Sequence, residues 1–346
     1  MAVGMTTNRT SAAPQVVANG VVRPLGLESA PAPIAADLAE VERRLAAELH
    51  GRTPYVHRLT EHLQHYRGKR LRPMLLLLTA KACGRVAPEH HTLAAVVEMI
   101  HTATLVHDDV LDQADLRRHV PTVNAKWGNA SSVLLGDMLF SHAFYLASTT
   151  GSTLACRVIG QATNRVCQGE LQQIGESGNL DLTEADYFDI IDGKTAELTA
   201  CACRLGALFA QVSEATVERL AAYGRDLGLA FQIADDVLDL VGSEHEAGKS
   251  LGTDVAQRKL TLPLIHLLQQ GPPHLARALR SHLASATPDA RLAIRHLLEE
   301  SGSIHYALDR AEDHAAKARE ALQVLPTSEA RLLLEGLTSQ VIHRNR

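Results

Sequence analysis

Residues 93–112 read Leu93-Ala-Ala-Val-Val-Glu-Met-Ile-His-Thr-Ala-Thr-Leu-Val-His-Asp-Asp-Val-Leu-Asp112. Leu93, Val96, Val97 and Ile100 recur at the i, i+3, i+4, i+7 spacing of a helix face, and Thr104 and His107 continue it. The run then stops at Asp108-Asp109-Val110-Leu111-Asp112, and the same five residues return as Asp235-Asp236-Val237-Leu238-Asp239 after a second apolar run, Leu227 to Ala234. On a helix, Asp108 and Asp112 stand one turn apart on one face, as do Asp235 and Asp239. Carboxylates so placed repel each other unless a cation sits between them. Oxygen-only ligands suit Mg²⁺, which takes one or two carboxylates together with phosphate oxygens of a substrate. A single acidic cluster is most simply a solvated helix end; two identical clusters, each closing an apolar run, predict a paired cradle for a Mg²⁺-bound diphosphate.

The rest of the chain reads as helix. Hydrophobic residues make up 46% and aromatics only 3%, with Ala and Leu throughout and few β-branched runs. Breakers such as Pro54, Pro88, Pro121, Gly128, Gly151, the 175–178 stretch, the 242–252 stretch, Pro272-Pro273, Pro288, Gly302 and Pro326 separate the periodic segments. Thr183 is placed to cap a helix, with Asp186 in its first turn. The expected fold is all-α, about a dozen helices, a single antiparallel helical bundle around a central cavity. Residues 1–33 are rich in Ala, Pro, Thr, Ser and Gly without periodicity and read as a disordered tail; residues 34–346 read as one catalytic domain.

Composition removes other classes. The 34 Lys+Arg and 39 Asp+Glu leave a net charge of −5, well mixed along the chain, so no nucleic-acid footprint appears. The most apolar window, Ser131 to Ala147, is interrupted by Asp137 and His142, short of a membrane span of about 18 apolar residues. No secretory signal is visible. The five cysteines include no Cys-x-x-Cys pair and read as reduced, mostly buried thiols of a cytoplasmic protein.

Basic residues flank both acidic clusters. Gly68-Lys69-Arg70-Leu71-Arg72-Pro73 precedes an apolar run, Arg117-Arg118 follows the first cluster, and Lys194-Thr195, Lys249 and Lys259 surround the second. Arg suits bidentate phosphate contacts and Lys supplies a compact charge. Taken in order with His101, Gly136-Asp137, Gly169-Glu170, Phe231-Gln232, Gly248-Lys249 and Lys259-x-Thr261-x-Pro263, these segments resemble the trans-polyprenyl diphosphate synthase family, head-to-tail prenyl-chain elongating enzymes of isoprenoid biosynthesis with the isoprenoid synthase fold. The match runs from about Gly68 to Pro263. One departure is Arg67, where the family often has a second glycine.

The resemblance implies roles. Lys69, Arg72, His101 and Arg118 would hold isopentenyl diphosphate. Asp108, Asp112 and Asp235 would be the main Mg²⁺ ligands, supported by Asp109, Asp236 and Asp239, with three ions expected when substrate is bound. Arg117, Lys194, Lys249 and Lys259 would grip the allylic diphosphate. Thr195 and Gln232 would lie near the reacting carbons and steady developing positive charge. A homodimer is expected. In this family bulky residues at the positions of Ala103 and Thr104 stop short products. Both are small here, and no insertion interrupts Asp108–Asp112, so a product of about C30 to C50, with C40 as the first expectation, follows from roughly one isoprene unit per open helical turn. Met99, Ile100, Met138, Phe140 and Phe144 are candidates for the floor.

Four other readings compete. A geranylgeranyl diphosphate synthase would stop shorter. A terpene cyclase on the same fold would not need a second diphosphate site. A metal-dependent phosphohydrolase built on His101, His107 and Asp108 would leave the second pentapeptide idle. A non-catalytic partner subunit would not keep both clusters.

Overall fold

The computed structural model describes residues 31–66, 68–242, 253–285 and 290–343. The expected tail lies outside these residues as far as residue 30; from Pro31 the chain enters a short turn, Ala32–Ile34, whose Ile34 is fully buried. Sixteen α-helices follow among the described residues: α1 Ala35–Glu48, α2 Pro54–His62, α3 Leu71–Ala82, α4 Pro88–Leu111, α5 Val123–Trp127, α6 Asn129–Thr149, α7 Thr153–Gly175, α8 Glu184–Ile191, α9 Glu197–Phe209, α10 Glu214–Val241, α11 Thr253–Ala256, α12 Leu262–Gln270, α13 Pro273–Ser285, α14 Ala290–Glu300, α15 Ser303–Ala321 and α16 Glu329–His343. Among the described residues the breakers fall at or between helix ends, and Pro288 and residues 243–252 lie outside them. Pro54 and Pro88 open α2 and α4, and Gly128, Gly151 and Gly302 take positive φ between helices. Thr183 caps α8 and Asp186 completes the capping box.

Two features are not helical repeats. Leu116–Arg117 and Val120–Pro121 form a two-rung antiparallel hairpin, turned through Arg118 and His119 at φ 51° and 65°. Both left-handed positions are ones a hairpin usually gives to Asn or Gly, so Arg118 is held there by its side-chain contacts. The second is a π-helical turn, Asp192–Ala196, between α8 and α9.

Burial explains the packing. α3 is apolar all round, with Pro73 to Ala80 buried without interruption, and so lies in the middle of the bundle. α10 links two hydrophobic clusters: Val217, Leu220, Tyr223 and Leu227 join the larger one, and Ile233, Val237 and Leu240 join the one under α12 to α15. The scarcity of rings reflects close helix approach through small residues. A Cβ on Gly206 of α9 would stand 2.4 Å from the Leu76 carbonyl of α3, and one on Gly224 of α10 would stand 2.5 Å from the Thr199 carbonyl of α9. Arg70, at φ 52°, ties α1 to α4 through Glu42 (2.5 Å) and the buried Glu98 (2.7 Å), a framework role for an arginine set between two residues expected to bind diphosphate. Cys201 and Cys203 are buried, Cys83 and Cys156 half-buried and Cys167 exposed; burial pushes Cys83 up to about 11 and both Cys201 and Cys203 up to about 12.

Replacing glycine by alanine inside a helix ordinarily stabilises by about 0.5–1 kcal/mol. At Gly224 the new methyl meets backbone, so Gly224→Ala is expected to destabilise by about 1–3 kcal/mol. The urea midpoint with unchanged slope reads the sign, and a midpoint above that of the parent contradicts the close packing.

Candidate active site

Both pentapeptides sit at the C-terminal ends of long buried helices: Asp108 and Asp109 in the last turn of α4 with Asp112 as its C-cap, and Asp235, Asp236 and Asp239 in the last two turns of α10. That is the negative pole of a helix, and neither last turn carries a basic residue. The acids therefore need cations from elsewhere.

The structure supplies part of that need by joining the two copies. Asp239 accepts a hydrogen bond from the Asp254 N–H (3.2 Å), the Asp254 carbonyl accepts from the Lys259 N–H (2.8 Å), and the Lys259 ammonium donates to Asp112 (3.2 Å). A second connection runs through the π-helical turn. Lys194 pairs with Glu170 of α7 (2.7 Å) and donates to Gln173 (2.8 Å). Burial pulls the Lys194 ammonium down, but Asp108, Glu170 and Asp112 outweigh it and hold it above its ordinary range. The next residue, Thr195, donates to the Gln232 side-chain carbonyl (2.7 Å), and the Gln232 amide donates to Asp236 (2.7 Å). Glycines allow the turn to reach both helices: a Cβ on Gly169 would stand 2.6 Å from the Lys194 nitrogen, and one on Gly193 3.1 Å from the Gly169 Cα.

Not every aspartate plays the same part. Asp108 is desolvated, and burial pushes it up to about 6 despite Lys194. The resemblance assigned Asp109 and Asp236 as supporting ligands. Both are buried, and the structure gives each carboxylate to protein donors on both oxygens. Tyr66 (2.9 Å) and Arg117 (2.7 Å) donate to Asp109; Tyr187 (2.7 Å) and Gln232 donate to Asp236. Arg117, expected on the allylic diphosphate, is therefore engaged by Asp109. Burial, with Asp254 nearby, raises Asp236 above the usual carboxylate range. Asp108, Asp112 and Asp235, together with phosphate oxygens of a substrate, make an all-oxygen donor set of the kind a hard divalent ion takes.

Beside the acids lies a cavity of about 600 Å³ with a mixed basic and apolar lining. Lys69, Arg72, His101 and Arg118 supply the basic groups; Leu105, Leu227 and Phe231 supply apolar ones, with Thr195 also on the wall. The Arg72 Nε is buried without a hydrogen-bond partner, and burial lowers the guanidinium below its ordinary value. Burial, reinforced by Arg72, Arg117 and Arg118, holds His101 well below its ordinary value, so its imidazole is neutral. The Arg118 guanidinium donates to the Tyr66 carbonyl (2.6 Å) and fits over Gly68, where a Cβ would stand 2.7 Å from it. This is the chemistry of a dry anion site.

Ala103 and Thr104 do not line this cavity, whose α4 wall is Glu98, His101, Thr102 and Leu105. Ala103 is fully buried one turn before His107, which meets Gly136 and Phe140 of α6; Thr104 bonds the His101 carbonyl. Met99 and Ile100 are buried, and Met138, Phe140 and Phe144 pack against the same core from α6. Lys249 and Gly248, like Arg67, lie outside the described residues. Sequence reasoning missed Tyr66, Tyr187, Asp254 and the π-helical turn. None shares a motif with its partner, and only the fold brings them together.

The profile of the polyprenyl synthetase family matches residues 53–300. An octaprenyl diphosphate synthase of Escherichia coli (strain K12) is 37% identical over 319 residues, covering 90% of this chain and 97% of that one. Among solved structures, a polyprenyl synthase from Caulobacter crescentus CB15, complexed with calcium and isoprenyl diphosphate, superposes with a TM-score of 0.86 at 39% identity, covering 90% of this chain and 96% of that one. A decaprenyl diphosphate synthase from Rhodobacter capsulatus gives 0.85 at 37% identity over 90% and 97%.

A buried charge without its counter-ion is a stability liability. Arg72→Met is therefore expected to raise the unfolding midpoint while weakening inorganic pyrophosphate binding by at least about tenfold, the loss of one charge-assisted contact. Thermal melts and titration calorimetry read the two effects, and unchanged pyrophosphate affinity removes Arg72 from the anion site.

Proposed function

The chain belongs to the polyprenyl synthetase family, and from that premise we propose that it is a Mg²⁺-dependent prenyltransferase that adds isopentenyl diphosphate to an allylic diphosphate and makes a medium- to long-chain all-trans polyprenyl diphosphate. The observation that carries the site assignment is the pairing of an acidic cradle, reached from both pentapeptides, with a separate basic cavity beside it.

Each residue then has a task. Lys69, Arg72, Arg118 and neutral His101 hold the isopentenyl diphosphate, leaving its alkene to the apolar groups of the cavity. Asp108, Asp112 and Asp235 hold the Mg²⁺ ions, three in our reading, which when bound supply Lewis acidity to the departing diphosphate. Lys194 and Lys259, already against the first cluster, add positive charge where the C–O bond breaks. Thr195 and Gln232, bonded to each other, turn oxygen dipoles toward the carbons on which positive charge develops. The alkene attacks the allylic carbon, and the proton it must lose passes to the departed diphosphate. Positioning supplies much of the acceleration, since two bound substrates must meet tail to head.

The growing chain is assigned to the seam between α4 and α6. Ala103 lies on the α4 side of it, and Met99 borders a void of about 30 Å³ lined by Leu45, Leu63 and Leu139 together with Glu42, Gln64 and Arg70. A product near C40 remains the first expectation. A second copy of the chain is proposed to cover the apolar side chains that α6 and α7 leave open, Leu134 and Leu171 at 68% exposure and Tyr145 at 62%; sedimentation velocity reads that state. Unpaired thiols, only Cys201 and Cys203 of them buried, suit the cytoplasm.

The deciding experiment incubates the protein with Mg²⁺, isopentenyl diphosphate and allylic primers of increasing length, followed by mass spectrometry of the dephosphorylated products. Inorganic phosphate release without a new carbon–carbon bond rejects the assignment. Asp108→Ala and Asp235→Ala should each lower turnover by at least about a thousandfold with unchanged far-UV circular dichroism, because each removes charge stabilisation at the leaving group; near-parental turnover in either sinks the cradle. Ala103→Phe should shorten the main product by at least about one isoprene unit, the length of a helical turn, and an unchanged product profile moves the tunnel elsewhere.

A further inference from the structure

Two phenols outside every recognised segment do the same thing at the two ends of the cradle. Tyr66 closes the short helical turn before Gly68, and Tyr187 lies on α8; both are nearly fully buried. Each donates its hydroxyl proton to the Oδ2 of the second aspartate of a pentapeptide, Asp109 at 2.9 Å and Asp236 at 2.7 Å. The Oδ1 of each is taken by a second donor, Arg117 or Gln232. The Tyr66 oxygen also accepts from the Val123 N–H (3.1 Å), which sets the phenol between α4 and α5.

The consequence is rotational. Successive helical residues are about 100° apart, so turning the second carboxylate into the protein turns the first away from it; at α4 Asp112 follows Asp108, whereas at α10 Asp239 is itself buried and takes the Asp254 N–H. A helix end that carries three acids and no base is prone to fray, and the two phenols add to the hold that Lys259 exerts on Asp112 and the Asp254 N–H on Asp239. The two tyrosines also connect to different neighbours. The Tyr66 carbonyl accepts from Arg118 in the basic cavity, whereas Tyr187 leads through Asp236 and Gln232 to Thr195.

Resting on the metal-cradle reading above, we propose that Tyr66 and Tyr187 are positioning residues: by anchoring Asp109 and Asp236 they fix the rotation of the ends of α4 and α10 and so preset Asp108, Asp112 and Asp235 for the metal-bound diphosphate. Asp109 and Asp236 are in this view anchors and not ligands.

The test uses the full chain with Mn²⁺ and inorganic pyrophosphate, reading bound Mn²⁺ by electron paramagnetic resonance and substrate constants by steady-state kinetics. Tyr187→Phe should weaken Mn²⁺ binding by about tenfold or more, as loss of an outer partner does at metal sites, and leave the KM for isopentenyl diphosphate within about twofold of the parent. Tyr66→Phe should weaken Mn²⁺ binding similarly and also leave that KM within about twofold, because Arg118 donates to the main-chain carbonyl of residue 66, which the substitution keeps. Asp236→Asn separates anchor from ligand. The new side chain still accepts from Tyr187, and its added N–H goes to the Gln232 carbonyl once that amide turns over and donates to Thr195 instead. Its Mn²⁺ affinity should stay within about threefold, while Asp235→Asn loses at least about tenfold. Parental Mn²⁺ binding in both tyrosine variants, or a loss in Asp236→Asn equal to that in Asp235→Asn, overturns the proposal. Failure of the parent itself to bind Mn²⁺ with pyrophosphate overturns the cradle reading instead. Thermal melts accompany each variant, and if one tyrosine variant does not fold, the other and the asparagine pair decide.

Discussion

Two buried helices end in carboxylates at their negative poles, and the rest of the site answers that electrostatic demand. Three aspartates stand at the end of α4 and three at the end of α10, with no lysine or arginine in either last turn. Dipole and mutual repulsion both act against these charges. The protein answers with side chains from elsewhere in the chain: Arg117 on Asp109, Lys259 on Asp112, and Lys194 close to Asp108. Asp108 is still pushed up to about 6, so the protein alone leaves the demand unmet. A divalent ion fits because the shortfall is of charge at oxygen donors. The carboxylate geometry is set by buried helices; a flexible loop would let the acids escape to water.

Reach across the site depends on small residues. The π-helical turn Asp192–Ala196 carries Lys194 to one cluster and Thr195 to the other. A widened turn of this type redirects successive side chains, a common device at functional sites. It fits only because Gly169 and Gly193 bring its backbone against α7, while Gly224 and Gly228 bring α10 against α9 and Ala196. The 3% aromatic content is thus tied to function: rings at these contacts would separate the helices that the two clusters terminate.

The all-α fold and most helix starts were legible from periodicity, from Pro54 and Pro88, and from the Thr183 cap. The acidic clusters and their basic complement were legible because each lies within a few residues of sequence. What was not legible depends on tertiary approach. Arg70 stands in the same short segment as Lys69 and Arg72, yet Glu42 and Glu98 turn it into framework. Arg117 and Arg118 are neighbours, but the left-handed turn at Arg118 sends one to Asp109 and the other to the Tyr66 carbonyl. Ala103 was placed correctly by helix arithmetic relative to Asp108, but the open cavity follows the Glu98, His101 and Leu105 side of α4, because the space there is set by α3, α9 and α10. Tyr66 and Tyr187 gave no local signal at all.

On the function proposed above, the same charge distribution would sort two substrates that carry the same head group. A diphosphate without metal is a dense anion; it is repelled by the acidic cradle and attracted by Lys69, Arg72 and Arg118. A diphosphate wrapped in divalent ions presents positive charge and has the opposite preference. His101 sharpens the distinction: held neutral among arginines, it offers a donor without adding a further charge. Discrimination thus comes from repulsion at the wrong site as much as attraction at the right one. It also orients the reaction. In that proposal the partner whose C–O bond must break would be drawn to the ions and ammonium groups that stabilise a leaving diphosphate. The partner whose bond must survive would be held by the guanidinium and imidazole groups of the basic cavity. Exchanging the two would place the stabilising charge beside a bond that has no allylic cation to form.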